Sequence, residues 1–413
     1  MKVLLVSSKY PPEYSGSGLR AHRTHLRLAN KYGIETTVIC SSTEYLSSTT
    51  YEQDGLTVDR IVSTKTRKVH SALGKGIFRR LTNAAVFKNE MRRVTELLEE
   101  KSPDLIHAFG YSPSTMAAIK WATTNKIPLV RELVNAVGSP YQYPPGAVGE
   151  SSYEFGEGSV VVAISSELGG VSNRAGLIEN VWVRPNPVDL KRFRPPTRSE
   201  KSVARSTLTP FSDDDIVIVF VSKFRKSKNH TFLLDVLKQL PNKYKLILAG
   251  PPSDPRDRVP GLTLAQIEDL TVKAAGMGIA DRLVMHPGFV DTADYLRAAD
   301  TFCMPAENEA MGTPLLEALA SGLPVVANSG ESSFREWVVD GRNGYLVPLD
   351  AQKWATAIQN LTSLEASVAE SISRDISEQI STDSIDRQYW KLFQAVTESK
   401  PGETVNVSEV LAE

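Results

Sequence analysis

Residues 304–327 read MPAENEAMGTPLLEALASGLPVVA, and this stretch carries the strongest fold signal in the chain. An apolar, strand-like run leads into it, and Thr313 followed by Pro314 predicts the N-cap and first position of a short helix. Gly322 suits the residue after that helix, and Pro324 prevents the helix from continuing. The stretch therefore predicts a loop at the carboxyl end of a parallel sheet, where open α/β sheets bind ligands.

The predicted loop and helix start carry groups suited to a phosphorylated sugar. Unpaired backbone amides of Met311, Gly312 and Thr313 are expected to bind phosphate or sugar oxygens, helped by the helix dipole. Glu309 on the loop and Glu317 one turn into the helix can accept hydrogen bonds from sugar and ribose hydroxyls. Taken alone, Glu317 would equally suit a helix-dipole carboxylate, and Glu309 a solvated loop charge.

Strands and helices alternate along both halves of the chain, which predicts an α/β fold of two Rossmann-like domains that face each other across a cleft. Residues 184–196 separate the halves, because four prolines in this segment are incompatible with regular structure. We expect domains at 1–188 and 189–383, with residues 384–413 forming a helix that crosses back to the first domain and a tail.

Composition excludes several classes of protein. The chain has 413 residues, of which 41% are apolar, and 47 basic residues balance 48 acidic ones, so the charge gives no argument for nucleic-acid binding. Cys40 and Cys303 lie in apolar runs and are expected to be buried small hydrophobes rather than a disulfide or metal ligands. The lack of a disulfide framework, of a signal-peptide pattern and of a membrane-length apolar run predicts a cytoplasmic protein.

The segment from Glu309 through Glu317 to Ala327 resembles the Glu-x7-Glu signature of retaining glycosyltransferases of family 4, which have the GT-B fold. The resemblance implies that Glu309 contacts hydroxyls of the donor sugar and that Glu317 contacts the ribose of the nucleotide. It also implies that domain 1–188 serves the acceptor and that domain 189–383 binds the nucleotide sugar. Where the family commonly has Gly-Phe-Gly after the first Glu, residues 310–312 read Ala-Met-Gly, which could narrow the sugar pocket.

Two lysines extend the resemblance. Residues 217–229 read VIVFVSKFRKSKN and take the place of the family's Gly-Arg-Leu-x3-Lys-Gly segment. Lys223 matches the Arg and Lys228 matches the Lys, which implies that the two clamp the donor diphosphate and offset charge on the leaving group. Lys223 lacks the bidentate fork of an arginine. Without the resemblance, the same lysines would be interpreted as a solvated loop cluster together with Arg225 and Lys226.

Residues 16–21, Gly-Ser-Gly-Leu-Arg-Ala, formally fit the dinucleotide pattern G-x-G-x-x-A. They follow the first strand by eight residues, and no acidic residue ends the second strand, which argues against a dinucleotide site. The segment is similar to the family's N-terminal loop, which implies that Gly16 and Gly18 let the backbone approach the donor phosphate and sugar. A plain turn is the alternative interpretation.

Histidines provide weaker signals. The resemblance places His107, predicted at a strand end, near the donor sugar and the acceptor, although a lone histidine is usually structural. His22 and His25 lie three apart on the first predicted helix without the further ligands that a metal site needs. No Asp-x-Asp triad lies where a metal-dependent transferase would need one, so we expect no metal ion and no cofactor besides the nucleoside-diphosphate sugar.

Residues 60–93 contain ten lysines and arginines and one acid, Glu90, interleaved with apolar residues. A basic amphipathic stretch can lie on an anionic membrane, and it can also line an acceptor cleft for an anionic substrate. A solvated helix face is the third interpretation. Peripheral membrane contact through 60–93 is therefore one of three hypotheses.

The reaction expected from the resemblance is transfer of a hexosyl residue from a UDP- or GDP-sugar to a hydroxyl of a glycan, glycolipid or small molecule, as in polysaccharide or glycolipid biosynthesis. An epimerase of the same fold would bind the same donor but would need additional acid/base carboxylates. A non-catalytic sugar-nucleotide binding protein would share the motifs. A nicotinamide oxidoreductase would rest on Gly16 and Gly18 alone.

Overall fold

The computed structural model describes residues 1–13, 15–42, 45, 47–62, 77–110, 112–134, 159–174, 179–253, 261–361, 367–400 and 403–412. The chain divides into two units, one of Met1–Arg184 with Ile385–Glu413 and one of Pro185–Ser384. Each unit has a largely parallel sheet with helices between its strands, which confirms the predicted α/β class. Among the described residues, each helix is too short or too polar to span a bilayer.

The first unit is built on an eight-stranded sheet in the order β3-β4-β2-β1-β5-β6-β7-β8, parallel except for β3. Its strands are β1 (Lys2–Ser7), β2 (Glu35–Ser42), β3 (Thr49–Gln53), β4 (Leu56–Val62), β5 (Leu105–Phe109), β6 (Leu129–Leu133), β7 (Ser159–Ala163) and β8 (Val181–Val183). Its first helices are α1 (Gly16–Tyr32), α2 (Ile77–Lys101), α3 (Pro113–Asn125) and α4 (Ser166–Arg174).

The second unit has a parallel six-stranded sheet in the order β11-β10-β9-β12-β13-β14. The strands are β9 (Ile216–Val221), β10 (Tyr244–Gly250), β11 (Leu283–Pro287), β12 (Thr301–Met304), β13 (Val325–Asn328) and β14 (Gly344–Val347). The helices that follow in the chain are α5 (Arg198–Leu208), α6 (His230–Gln239), α7 (Leu264–Gly276), α8 (Thr292–Ala298), α9 (Thr313–Ala320), α10 (Ser332–Arg335), α11 (Ala351–Leu361), α12 (Ser367–Ile380), α13 (Thr382–Glu398) and α14 (Val407–Ala412).

Local sequence explains the element ends. The hydroxyl of Ser15 accepts the amide of Gly18 and caps α1, and Gly33 ends that helix with φ +66°, where its amide bonds to the carbonyl of Ala29. The strands β1 and β5 are buried almost throughout, as expected for parallel strands covered on both faces. Cys40 and Cys303 are buried free thiols, which confirms their predicted packing role.

The C-terminal helix α13 belongs to the core of the first unit. Tyr389 and Phe393 of this helix are fully buried and pack in one cluster with Val3 and Val130 of the sheet. The amide of Val188 bonds to the carbonyl of Ile380 at 2.7 Å, so the two chain segments that connect the units run side by side.

A buried polar network fastens α13 to the sheet. Glu132 accepts hydrogen bonds from the hydroxyl of Tyr389 at 2.6 Å and from the guanidinium of Arg184, which also donates to Tyr389. Burial alone would raise the pKa of Glu132, but Arg184, a hydrogen bond from His107 and the charge of Arg20 outweigh it and lower the pKa to about 2. The network therefore stabilises the fold above the ordinary carboxyl pKa of 4.5, and this contribution is lost as the pH falls toward 2.

Replacement of Glu132 by alanine is expected to destabilise the first unit by about 3–5 kcal/mol, because the buried charge of Arg184 would lose the carboxylate that it pairs with. Urea denaturation of the full chain, followed by circular dichroism, measures the effect. Glu96→Ala is the matched control, since its pair with Arg92 is exposed and contributes little. Equal midpoints for the two variants would contradict the assigned role of the network.

Candidate functional site

The centre of the candidate site is the loop between β12 and α9. The helix α9 is capped by Gly312, at φ +73° and ψ 57°, and not by Thr313 as predicted from the sequence. A Cβ at this position would lie 2.7 Å from Cε1 of Phe334 and 3.0 Å from Cε of Met304, so both the backbone and the packing require glycine. Thr313 is the first helical residue, and its hydroxyl accepts a hydrogen bond from Nδ2 of Asn186 at 2.7 Å.

The start of α9 offers free donors. No acceptor among the described residues pairs with the amides of Met311, Gly312 or Thr313, and Pro314 has no N–H. Unpaired amides at a helix start attract anions, because the helix dipole adds to their own partial charge. Residues 311–313 therefore present unpaired amides at the carboxyl end of β12, and the predicted binding of an anion there stays a prediction.

Glu309 is held at three points. Its amide donates to Oε2 of Glu331 at 2.8 Å, its carbonyl accepts from the hydroxyl of Ser333 at 3.0 Å, and its carboxylate pairs with the ammonium of Lys228. The other oxygen of Glu331 accepts the amide of Asn308 at 2.9 Å, and Asn308 adopts the left-handed conformation at φ 60°. The carboxylate of Glu331 thus fixes the backbone at residues 308 and 309, and with it the direction in which the side chain of Glu309 points.

A second loop supports the first. Lys228 ends the short 3-10 helix Lys226–Lys228, and the carbonyl of Ser227 accepts the amide of Glu307 at 2.7 Å. Nδ2 of Asn229 donates to the carbonyl of Pro305 at 2.9 Å. The resemblance implies that Lys228 and Glu309 serve different parts of the donor, whereas the structure brings their side chains together as an ion pair.

The other predicted residues of the second unit lie on the same edge. Glu317 is partly exposed and lies one turn after Thr313, so the two side chains share one face of α9, while residues 315, 316 and 318–320 of this helix are buried. Lys223 lies in the turn that follows β9 and is partly exposed.

The glycines of the first unit have different roles. Gly18 packs closely against the chain, because a Cβ at this position would lie 2.3 Å from the carbonyl oxygen of Lys9. The amide of Gly18 donates a hydrogen bond to the hydroxyl of Ser15. Packing against Lys9 therefore requires a glycine at position 18, and the approach of a donor phosphate to this residue stays a prediction. Gly16 is exposed, and a Cβ at this position would meet no atom within 4 Å, so it stays compatible with a ligand contact.

His107 is fully buried within β5 and does not lie at the strand end. Its Nδ1 shares a hydrogen bond with Nε2 of His25 at 2.9 Å, and its Nε2 lies 3.2 Å from Oε2 of Glu132. Burial and the neighbouring His107 lower the pKa of His25, which keeps that ring neutral. His107 thus belongs to a buried network that the sequence alone could not reveal, and its predicted contact with a substrate stays a prediction.

The structure also shows the contacts of His22 and of part of the basic segment 60–93. His22 shares hydrogen bonds with the hydroxyl of Tyr10 and the carboxylate of Asp54, both at 2.8 Å. Arg60, the first residue of the basic segment 60–93, is buried in β4, while Arg92 is exposed and paired with Glu96. Residues 63–76 of that segment lie outside the described residues, so the membrane hypothesis stays a prediction.

Comparison with known proteins identifies the family of the site. Residues 215–363, which contain both loops, α9 and the Glu309–Lys228 pair, match the family described as glycosyl transferases group 1. The chain contains a glycosyl transferases group 1 domain. It is 26% identical over 371 residues to a protein named as a teichuronic acid biosynthesis glycosyltransferase, TuaC of Bacillus subtilis, covering 87% of this chain and 88% of that protein.

A second relative is D-inositol 3-phosphate glycosyltransferase of Geodermatophilus obscurus, at 30% identity over 295 residues, covering 67% of this chain and 62% of that protein. Among solved structures, HepE of Anabaena in complex with UDP and glucose matches with a TM-score of 0.68 at 19% identity, covering 96% of this chain and all of the other. Sucrose-phosphate synthase of Thermosynechococcus elongatus matches with a TM-score of 0.72 at 19% identity, covering 95% and 98% of the two chains. These likenesses show that this glycosyltransferase has the GT-B fold.

Gly312→Ala is expected to lower the free energy of unfolding by about 1–3 kcal/mol, because alanine at positive φ is strained and its methyl group would collide with Phe334. The matched control is Gly16→Ala, whose methyl group would meet no atom within 4 Å. Thermal and urea denaturation of both variants measure the difference. A Gly312→Ala variant as stable as the Gly16→Ala variant would show that the loop adapts freely.

Proposed function

We propose that this glycosyltransferase transfers a hexosyl residue from a UDP- or GDP-sugar to an acceptor hydroxyl, with retention of the anomeric configuration and without a metal ion. The observation that carries the proposal is the cluster of unpaired amides at residues 311–313 beside the Glu309–Lys228 pair. Donors and cations of this kind stabilise the charge that develops on a departing diphosphate. The solved complex of HepE with UDP and glucose, which shares the fold, supports this choice of donor class.

Each residue of the cluster receives one role in the proposal. The amides of 311–313 and the ammonium groups of Lys223 and Lys228 bind the pyrophosphate. Glu317, on the same face of α9 as Thr313, accepts hydrogen bonds from the ribose hydroxyls, and Glu309 accepts those of the donor sugar. Before the donor binds, Lys228 neutralises the carboxylate of Glu309. When the pyrophosphate binds, the ammonium group of Lys228 pairs with it as well, and the carboxylate of Glu309 can accept hydrogen bonds from the sugar hydroxyls.

The reaction needs only these groups. The bond between the anomeric carbon and the phosphate oxygen breaks, and the acceptor oxygen forms its bond on the face that the phosphate leaves. The departing phosphate takes the proton of the acceptor hydroxyl, so no protein side chain is required as a covalent nucleophile. This course follows from the resemblance to retaining enzymes of family 4.

The acceptor is assigned to the first unit in this proposal. TuaC is named for teichuronic acid biosynthesis and the other relative for D-inositol 3-phosphate, so the two names point to different products. For this chain we propose a glycan, glycolipid or small molecule in the cytoplasm.

Lys228→Ala is expected to reduce hydrolysis of the donor, with water as acceptor, by about a hundredfold or more, because a preorganised cation at the leaving group is lost. Glu317→Ala should weaken binding of the nucleoside diphosphate by about tenfold while the protein stays folded. Lys226→Ala is the matched control, since Lys226 lies on the same short helix and is exposed. Wild-type rates and affinity in the first two variants would refute the assigned site.

The stereochemistry and metal requirement can be tested together. We expect the donor sugar that is first released or transferred to keep the anomeric configuration of the donor, in the presence of EDTA and at an unchanged rate. Proton NMR during the reaction measures the configuration before mutarotation. An inverted product, or a rate abolished by EDTA and restored by Mg²⁺, would exclude the proposed course. Turnover of the nucleotide sugar to an isomer without an acceptor would instead indicate an epimerase.

A further inference from the structure

One row of side chains crosses the first unit at the carboxyl edge of its sheet. Arg60 of β4 pairs in register with Cys40 of β2, Cys40 with Ser7 of β1, and Ser7 with Phe109 of β5. Register partners in a parallel sheet point to the same face, so these residues line one face near the edge at which α/β sheets bind ligands. Arg60 is the cation of this row.

One edge of the Arg60 guanidinium is buried without an acceptor, while the Tyr51 hydroxyl and the Cys40 thiol lie within hydrogen-bond reach of the group. The residue is 5% exposed, and its guanidinium carbon lies 3.7 Å from the ring centre of Tyr45 and 4.2 Å from that of Tyr51. Nε and Nη2 of Arg60 have no hydrogen-bond partner among the described residues. Burial of a charged group without such partners is costly, and the aromatic faces offset only part of that cost.

The groups around Arg60 do not supply its counter-ion. Glu13 pairs with Lys9 at 2.5 Å, and Asp59 pairs with Lys101 at 2.6 Å. Burial raises the pKa of Cys40 to about 12, and burial raises that of Tyr51 to about 12, so both are neutral at physiological pH. Among the described residues, no carboxylate lies within ion-pair distance of Arg60.

Another arginine of the same unit shows what the free edge can bind. Nε and Nη2 of Arg27 donate to the two carboxylate oxygens of Asp386 at 2.7 and 2.9 Å. These are the same two nitrogens that are unpaired in Arg60, and they form the edge of the guanidinium that fits a carboxylate or phosphate bidentately. Buried arginines of the second unit are satisfied in other ways, since Arg282 donates to three backbone carbonyl oxygens.

We propose that Arg60, framed by Tyr45 and Tyr51, binds an anionic group of the acceptor, either a phosphate or a carboxylate. The proposal rests on the function proposed above and narrows the acceptor class to anionic compounds. Tyr45 is partly exposed, so rotation of its ring gives an anion access to Nε and Nη2. The burial of Arg60 in the sheet also removes this residue from the set that could face a membrane.

Calorimetric titration of the full-length protein tests the proposal. The protein is first saturated with UDP, which occupies the cations and amides of the second unit. It is then titrated with methyl glucuronide, with inorganic phosphate, and with methyl glucoside as the neutral counterpart. We expect at least one anionic probe to bind, and Arg60→Gln to weaken that binding by about 10- to 100-fold, the usual range for a hydrogen bond to a charged group. The neutral probe should bind more weakly and should not respond to the substitution.

Two further variants keep the experiment decisive. Arg92→Gln removes an exposed charge of the same basic segment and should leave the binding of the anion unchanged. Arg60→Lys keeps the charge but not the bidentate edge, so it should lose part of the affinity and serves where Arg60→Gln does not fold. Equal affinity of Arg60→Lys and the wild type for the anion, or equal binding of the neutral and anionic probes, would overturn the proposal. If UDP does not bind, GDP takes its place in the titration, and failure of both nucleotides to bind would instead refute the proposed function.

Discussion

The carboxylate of Glu331 accepts the amides of Asn308 and Glu309, and the geometry of the candidate site depends on this contact. The loop between β12 and α9 has no regular structure, so its backbone donors would otherwise point in no fixed direction. The hydroxyl of Ser333 also donates to the carbonyl of Glu309, so both the amide and the carbonyl of Glu309 are fixed by the residues at the start of α10. Glu309 can therefore be presented to a ligand in one orientation, which is what preorganised electrostatic stabilisation requires.

In both units, buried or partly buried charged groups are paired with one another. Glu309 and Lys228 neutralise each other on the edge of the second sheet, while Glu132 is shared by Arg184 and Tyr389 inside the first. Partners of this kind make a charged group tolerable in a partly buried site. Arg60 differs from these groups in that no carboxylate of the described residues pairs with it, and this difference is the basis of the anion site proposed above.

Much of the fold could be predicted from the sequence, because apolar runs, prolines and glycines act locally. The strand Thr301–Met304 and the end of α1 at Gly33 follow directly from such signals. The sequence is a poor guide where the local structure depends on a contact with a residue far away in the chain. Gly312 caps α9 because Phe334, 22 residues later, leaves no room for a side chain, and His107 is structural because His25 lies against it. The role of Glu331 could not be predicted from its neighbours in the sequence, because the amides that it binds belong to the loop before α9.

A crystal structure of the protein with bound UDP or GDP would show whether the start of α9 holds the nucleotide. We predict that the pyrophosphate lies within hydrogen-bond distance of the amides of Gly312 and Thr313, contacts Lys228, and places the ribose hydroxyls on Glu317. Glu331 should still hold the amides of Asn308 and Glu309 in that complex. A nucleotide bound elsewhere on the chain, with the start of α9 left without a contact, would contradict the account.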